Sequence, residues 1–157
     1  MNRATPGRLS WPIRSGTVPA LADGFSARPE TAPALAAALS AGATVVLVPD
    51  RAAAPEAQDW LRSSGKTQLA AYFAESLWQS GRVDLLVWIE ATSRASVLSG
   101  YATATATVTG RDQASSCESV AAQFLSWLRE TSRSWLVVLD DLADPADLDG
   151  LWPAGCW

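Results

Sequence analysis

Two stretches decide the reading of this chain: Gly65-Lys66-Thr67, and Trp135-Leu136-Val137-Val138-Leu139-Asp140-Asp141. The first is a flexible residue, a cation and a hydroxyl at the start of a segment with helical periodicity. The second is a continuous apolar run that ends in two carboxylates, the pattern of a strand buried on both faces. A lysine at a helix start can meet phosphate oxygens, and a threonine hydroxyl with a strand-end carboxylate can hold Mg²⁺, directly or through water. The usual loop in front of such a lysine is G-x-x-x-x-G-K-[ST], whose glycines let backbone N–H groups converge on phosphate. Here Trp60 stands where the first glycine belongs, and Leu61 and Arg62 bring side chains into the same space.

Working outward, Lys66 to Ser80 carries Leu69, Phe73 and Leu77 at four-residue steps, an amphipathic helix stopped by Gly81. Val83 to Ile89 reads as a strand, and so does Thr44-Val-Val-Leu-Val48. Pro55 to Leu61 has a proline, then acids, then an apolar edge, and is expected to add a helical turn ahead of Gly65. Glu30 to Leu39 is rich in Ala and Leu and is expected to be helical. Ser93 to Thr109 is also expected to be helical, although the Thr-Ala alternation of 103–107 lowers its propensity. Cys117 to Glu130 is a third strongly amphipathic helix, and Asp141 to Leu151 holds a short one with Pro145 in its first turn. Residues 1–29, rich in Pro, Gly, Ser and Arg, are read as an irregular lead-in to a domain over 30–157.

Strands alternating with helices imply a parallel sheet with right-handed crossovers. The expected fold class is therefore α/β: a three-layer α/β/α unit of the P-loop NTPase type on a short parallel sheet of about three strands. The tail after Leu151 leaves no room for further strands, so the unit is expected to be truncated.

The bulk numbers exclude several functions. The chain has 157 residues, 48% of them hydrophobic, enough for one folded domain with a core. A net charge of −4 argues against broad nucleic-acid binding. There is no histidine, which removes Ser-His-Asp and Cys-His hydrolysis and histidine-bound zinc. No run approaches the about 18 apolar residues of a membrane span, so no membrane partner is expected. Cys117 and Cys156 have no metal spacing, and a reducing, cytoplasmic setting is the expectation. Among the eight tryptophans, Trp78, Trp88, Trp127 and Trp135 read as core, whereas Trp11, Trp152 and Trp157 lie in irregular segments and suit a protein-contact surface.

Gly65-Lys66-Thr67-Gln68-Leu69-Ala70, Leu136-Val-Val-Leu-Asp-Asp-Leu142 with Asp-Pro-Ala-Asp-Leu after it, and Asp84-Leu-Leu-Val-Trp-Ile-Glu90 together resemble the NB-ARC ATPases of the signal-transduction STAND group. Gly24-Phe-Ser-Ala-Arg-Pro-Glu30 is similar to that family's lead-in at the adenine end, with Ala27 in place of its glycine. The likeness spans roughly residues 17 to 155 and is to bacterial members that carry tetratricopeptide repeats. It implies binding of ADP or ATP with Mg²⁺, slow hydrolysis at most, and use of the nucleotide state as a regulatory switch. It also implies that Lys66 contacts the β and γ phosphates, with Gly65 and Gln68 beside it, and that Arg28 sits near the adenine. Thr67 and Asp140 would take Mg²⁺, and Asp141 would help polarise water. Against the family stand the rewritten loop before Gly65 and the missing fourth and fifth strands with their sensor arginine. The alternative is a non-enzymatic remnant of this fold that serves protein association or dimerisation.

Overall fold

The computed structural model describes residues 10–26, 31–40, 45, 47, 65–110 and 115–153. Along the chain these form β1 (Ile13–Ser15), α1 (Thr31–Ser40), α2 (Lys66–Gln79), β2 (Leu85–Glu90), α3 (Arg94–Thr109), α4 (Cys117–Glu130) and β3 (Trp135–Asp140). A 3-10 helix, Pro145–Leu148, follows, with Pro145 in its first turn and Asp144 capping it. The three strands form one parallel sheet in the order β1-β2-β3. Among the described residues the fold is thus α/β with a small parallel sheet of three strands, the class that the alternation of patterns implies.

The pairing of β2 with β3 runs for six residues, from Leu85 opposite Trp135 to Glu90 opposite Asp140. Because side chains alternate along a strand, this register sorts both strands into two common faces. Leu85, Val87 and Ile89, with Val137 and Leu139, pack against Val97, Tyr101 and Ala104 of α3 and Phe124 and Leu128 of α4. On the other face, Leu86, Trp88, Leu136 and Val138 pack against Ala71 and Ala74 of α2. Helices therefore cover both faces of β2, which is why its first five residues are all buried.

Two departures from the sequence reading concern the sheet. Ile13–Ser15 is a strand, although it falls inside the stretch read as irregular. Three residues are too few to show a period, and the flanking Pro12 and Gly16 are turn residues. Pairing with Leu85–Val87, and the burial of Ile13 and Ser15, make it a strand. The strand expected over 44–48 lies mostly outside the described residues, and Val45 and Leu47 belong to no element. The helix expected over 55–61 lies outside them altogether.

The remaining helices have local reasons. α3 opens with a capping box in which the Ser93 side chain accepts from Ser96 N–H and Ser96 answers to the Ser93 backbone. It closes on Gly110 in the left-handed conformation. Its Thr-Ala run stays helical because Tyr101, Ala104, Thr105 and Val108 are buried in the core, and Thr103, Thr105, Thr107 and Thr109 satisfy their hydroxyls on the carbonyl four residues back, at 2.7–3.0 Å. α4 carries Ser116 as cap, Glu118 in its first turn and Arg129 in its last, complementing the helix dipole. Trp11 is partly buried: its ring stacks on Trp127 at 6.3 Å, and the Arg133 guanidinium lies 3.9 Å from its centre. It therefore packs against α4 through one face of its ring and is not a fully exposed residue.

Two measurements test this packing. Gly16 has φ +81°, and a Cβ there would lie 2.0 Å from the Trp88 carbonyl oxygen. Gly16→Ala is expected to lower stability by at least about 1–2 kcal/mol from the backbone conformation alone, read by urea denaturation. Tyr101 is fully buried and its hydroxyl donates to the Leu151 carbonyl at 2.9 Å. Burial raises its pKa well above the ordinary phenol value. The unfolded chain then loses this proton first, so stability is whole below pH of about 10 and falls above it, at roughly 1.4 kcal/mol per pH unit. Tyr101→Phe should remove that part of the alkaline loss in urea titrations between pH 8 and 11.

Candidate functional site

The carboxyl ends of β2 and β3 and the amino end of α2 meet at one rim. α2 starts after Gly65, which has φ 71° and ψ 2° and makes no side-chain cap bond. The left-handed residue lets the chain enter the helix sharply. The first N–H groups of α2 are thus not capped by the Gly65 side, and with the helix dipole they favour an anion. Packing of Ala71 and Ala74 on Leu86 and Trp88 holds α2 over β2 and β3. At β1, Arg14 makes two bonds to the Glu75 carboxylate, at 2.7 and 2.8 Å, with its guanidinium 4.4 Å from the centre of the Trp78 ring.

This seating brings Thr67 to Asp140. The threonine hydroxyl donates to Asp140 Oδ1 at 2.8 Å, across 73 positions of sequence, and both side chains are partly buried. The pair expected to share a metal is therefore in direct contact. Lys66, one residue earlier, is partly buried at the same helix start. Asp141 follows Asp140 with φ 57°, left-handed and exposed. An aspartate tolerates that conformation better than most residues, and it turns the chain towards Leu142 and the α3 side of the sheet.

Gln68 does something the sequence does not indicate. Its amide Oε1 accepts from Ala22 N–H at 2.6 Å and its Nε2 donates to the Ala20 carbonyl at 3.1 Å. Both ends of the side chain are thus engaged with the lead-in, which Phe25 also fastens by packing on Tyr72 at 5.8 Å. Its part at the site is to position that segment. Arg28 and Trp60 lie outside the described residues.

Glu90 was not marked by the sequence. It ends β2 opposite Asp140, and the alternation that points Trp88 and Leu86 towards α2 points Glu90 the same way. Two carboxylates therefore end neighbouring strands at one level, on the face that α2 covers. The signal was there: Trp-Ile-Glu90 repeats the apolar-run-then-acid form of Val-Leu-Asp140. Beneath them the Trp88 indole N–H is buried with no partner among the described residues. Among the described residues no group of three or more His, Cys, Asp or Glu side chains is arranged to hold a metal. A cation at this rim would depend on Thr67, Asp140 and oxygens from a ligand or water. Among the described residues no helix is long and apolar enough to cross a membrane.

Comparison with models of protein families, with curated proteins and with solved structures yields no match for this chain.

The Thr67–Asp140 bond is expected to couple α2 to β3. In a double-mutant cycle of Thr67→Val and Asp140→Ala, the coupling energy should be about 1 kcal/mol or somewhat more, as for a hydrogen bond to a charged group. Urea denaturation of the four proteins measures it, and additive losses would show that the contact carries no energy.

Proposed function

We propose that the chain is the nucleotide-binding part of an NB-ARC/STAND-type regulator, with a P-loop-like site that takes ADP or ATP with Mg²⁺. The single observation that carries this reading is the Thr67–Asp140 contact at the mouth of α2. A helix-start hydroxyl and a strand-end carboxylate, remote in sequence and adjacent in space, are what a phosphate–magnesium centre requires.

The residues present fit such a group. Gly65 leaves the start of α2 without a side-chain cap, which suits phosphate oxygens. Lys66 supplies the cation for the β and γ phosphates, and Thr67 and Asp140 supply oxygens for Mg²⁺. Bound Mg²⁺ would neutralise phosphate charge and orient the terminal phosphoryl group. Asp141 would help polarise a water, with Glu90 at the same rim as a second carboxylate, and any hydrolysis would rest on them. Because Trp60, Leu61 and Arg62 replace the small residues of the usual loop, binding through α2 and Lys66 is expected to be weak and turnover very slow. The nucleotide state would then act as a regulatory switch. It would act through α2 and the lead-in that Gln68 and Tyr72 hold.

One observation favours the second reading, a protein-association module: Trp152 is 50% exposed in a stretch beside the core. Sedimentation equilibrium with Trp152→Ala separates it, since a dimer lost in that variant would belong to this reading and not to the first.

Titration of fluorescent ADP with Mg²⁺ tests the main proposal. Saturable binding by the native chain, weakened at least about tenfold by Lys66→Ala, roughly the 1.4 kcal/mol of one charged contact, is the expected outcome. Equal signals from both proteins would overturn it.

A further inference from the structure

The carboxyl end of β1 opens a second site, away from Thr67 and Asp140. After β1 the chain runs to the α2 side: Val18 joins the cluster of Ala71, Ala74, Leu86 and Trp88, and Ala20 and Ala22 bond to Gln68. After β2 it runs to the opposite side, into α3, which packs on Leu85, Val87 and Ile89. Neighbouring parallel strands whose continuations leave to opposite faces define a switch point, and ligands of open α/β sheets bind in the crevice outside the strand ends there. A crevice of about 370 Å³ lies at this point, lined by Ser15, Gly16, Glu90, Ser96, Ser99 and Gly100 among others.

Its chemistry is specific. Ser15 points the same way as Ile13, to the α3 side, and is only 6% exposed. Its hydroxyl has no hydrogen-bond partner among the described residues, and what remains accessible of it opens into the crevice. A hydroxyl that makes no bond within the protein and keeps some accessible area can exchange water for a ligand's hydroxyl. Gly16 and Gly100 form the closest walls. A Cβ on the first would meet the Trp88 carbonyl at 2.0 Å, and one on the second the Ile89 side chain at 2.7 Å, so the glycines let backbone and helix approach closely. Gly16 crosses the β2 edge at Trp88, which closes that edge to an added peptide strand.

The lining also fixes the charge of the ligand. Among the described residues no lysine or arginine lines the crevice, and its one ionisable residue, Glu90, ends β2 at the border between the crevice and the α2 face. The amino end of α3 is already engaged by the Ser93–Ser96 box, so it offers little to an anion. Serine and threonine hydroxyls surround the space: Ser96 and Thr103 already donate to the Ser93 and Ser99 carbonyls and are left to accept, and Ser15, Thr17, Thr92 and Ser99 complete the set. The volume lies at the low end of ligand pockets, roughly 300–1,000 Å³, enough for one sugar ring and too small for a whole nucleotide.

We infer that this switch-point crevice binds a small neutral polyol, a sugar of ribose size, through the Ser15 hydroxyl and the hydroxyl face of α3. The inference stands on β1, β2 and α3 and does not depend on the nucleotide reading. The same chemistry could come from a free sugar or from the ribose of a nucleotide, and the test separates the two.

Amide chemical shifts of the ¹⁵N-labelled chain are followed while D-ribose and, separately, ADP with Mg²⁺ are added. Saturable shifts at residues 15–17 and 96–103 with ribose alone support a free-sugar site, and shifts there with both ligands support a ribose subsite. Ser99→Trp, at an exposed position of α3, should fill the crevice and abolish them, while its own spectrum shows that the fold is kept. Ser15→Ala should weaken ribose about fivefold, the loss of one neutral hydrogen bond. Lys66→Ala should leave ribose binding unchanged even where it removes ADP, so the failure of one reading is visible apart from the other. Absence of saturable shifts in these residues with either ligand, or shifts that survive Ser99→Trp, overturns the inference.

Discussion

The in-register parallel pairing of Leu85–Glu90 with Trp135–Asp140 is the constraint on which the rest of the molecule depends. With a side-chain period of two, a slip of β3 by one residue against β2 would turn Leu136 and Val138 away from α2 and present their neighbours instead. The apolar runs themselves would tolerate that slip, since both faces are covered. The ends would not. The observed register ends both strands at a carboxylate, Glu90 opposite Asp140, and only the observed face puts Asp140 beneath the start of α2, where Thr67 reaches it at 2.8 Å. The pairing is anchored at its other end by Asp84, which accepts from the Ser134 backbone and hydroxyl at 3.0 and 3.1 Å. The opposite rim of the sheet is thus held by hydrogen bonds that take no part in the candidate site.

What could be read from the sequence follows from where the physics is local. α4 was legible to its boundaries because an amphipathic stripe, a serine cap and a charged last turn all agree over Cys117–Glu130. β2 and β3 were legible because continuous β-branched and aliphatic runs have few other uses. The conjunction of Thr67 with Asp140 was legible because helix starts and strand ends gather at one edge of a parallel sheet. β1 was not. Its identity comes from its partner, with Arg14 between two inward residues and turn-formers on either side, and no window of three residues carries that information. The clamp that Gln68 makes was not legible, for a related reason. Position in a motif suggested a ligand contact, but the partner of its amide is the backbone of Ala20 and Ala22, in a segment whose path the sequence did not define. Glu90 was overlooked because its meaning is its level beside Asp140, a fact of register. Arg28, the loop before Gly65 and the strand expected over 44–48 lie largely or wholly outside the described residues, so those expectations stand where the sequence left them.

β2 separates two sites of opposite character. On the α2 side the rim gathers a helix amino end, a lysine and two strand-end carboxylates, an arrangement suited to a charged ligand with a cation. On the α3 side the crevice is walled by hydroxyls, and the helix amino end there is closed by its own serines. The difference arises from capping. Gly65 brings no side chain to the start of α2, whereas Ser93 and Ser96 satisfy the start of α3. Two helices of similar length, each at the same edge of one sheet, thereby offer different chemistry from their first turns.

The lead-in ties these two places together mechanically. Its first described residues build β1 and the Gly16 wall of the crevice. Its next ones are held to α2 through Val18, through the Gln68 clamp, and through Phe25 on Tyr72. Gly16 itself is locked over the Trp88 carbonyl, with no room for a Cβ. A displacement of α2 relative to β2 therefore cannot leave residues 17–22 where they are without breaking the Gln68 bonds or the packing of Val18. Val18 is joined to Gly16 of the crevice wall by a single residue, Thr17. The contact chain is short and continuous, and each link is a named bond or packed pair, which is the physical form that any coupling between the two sites has to take.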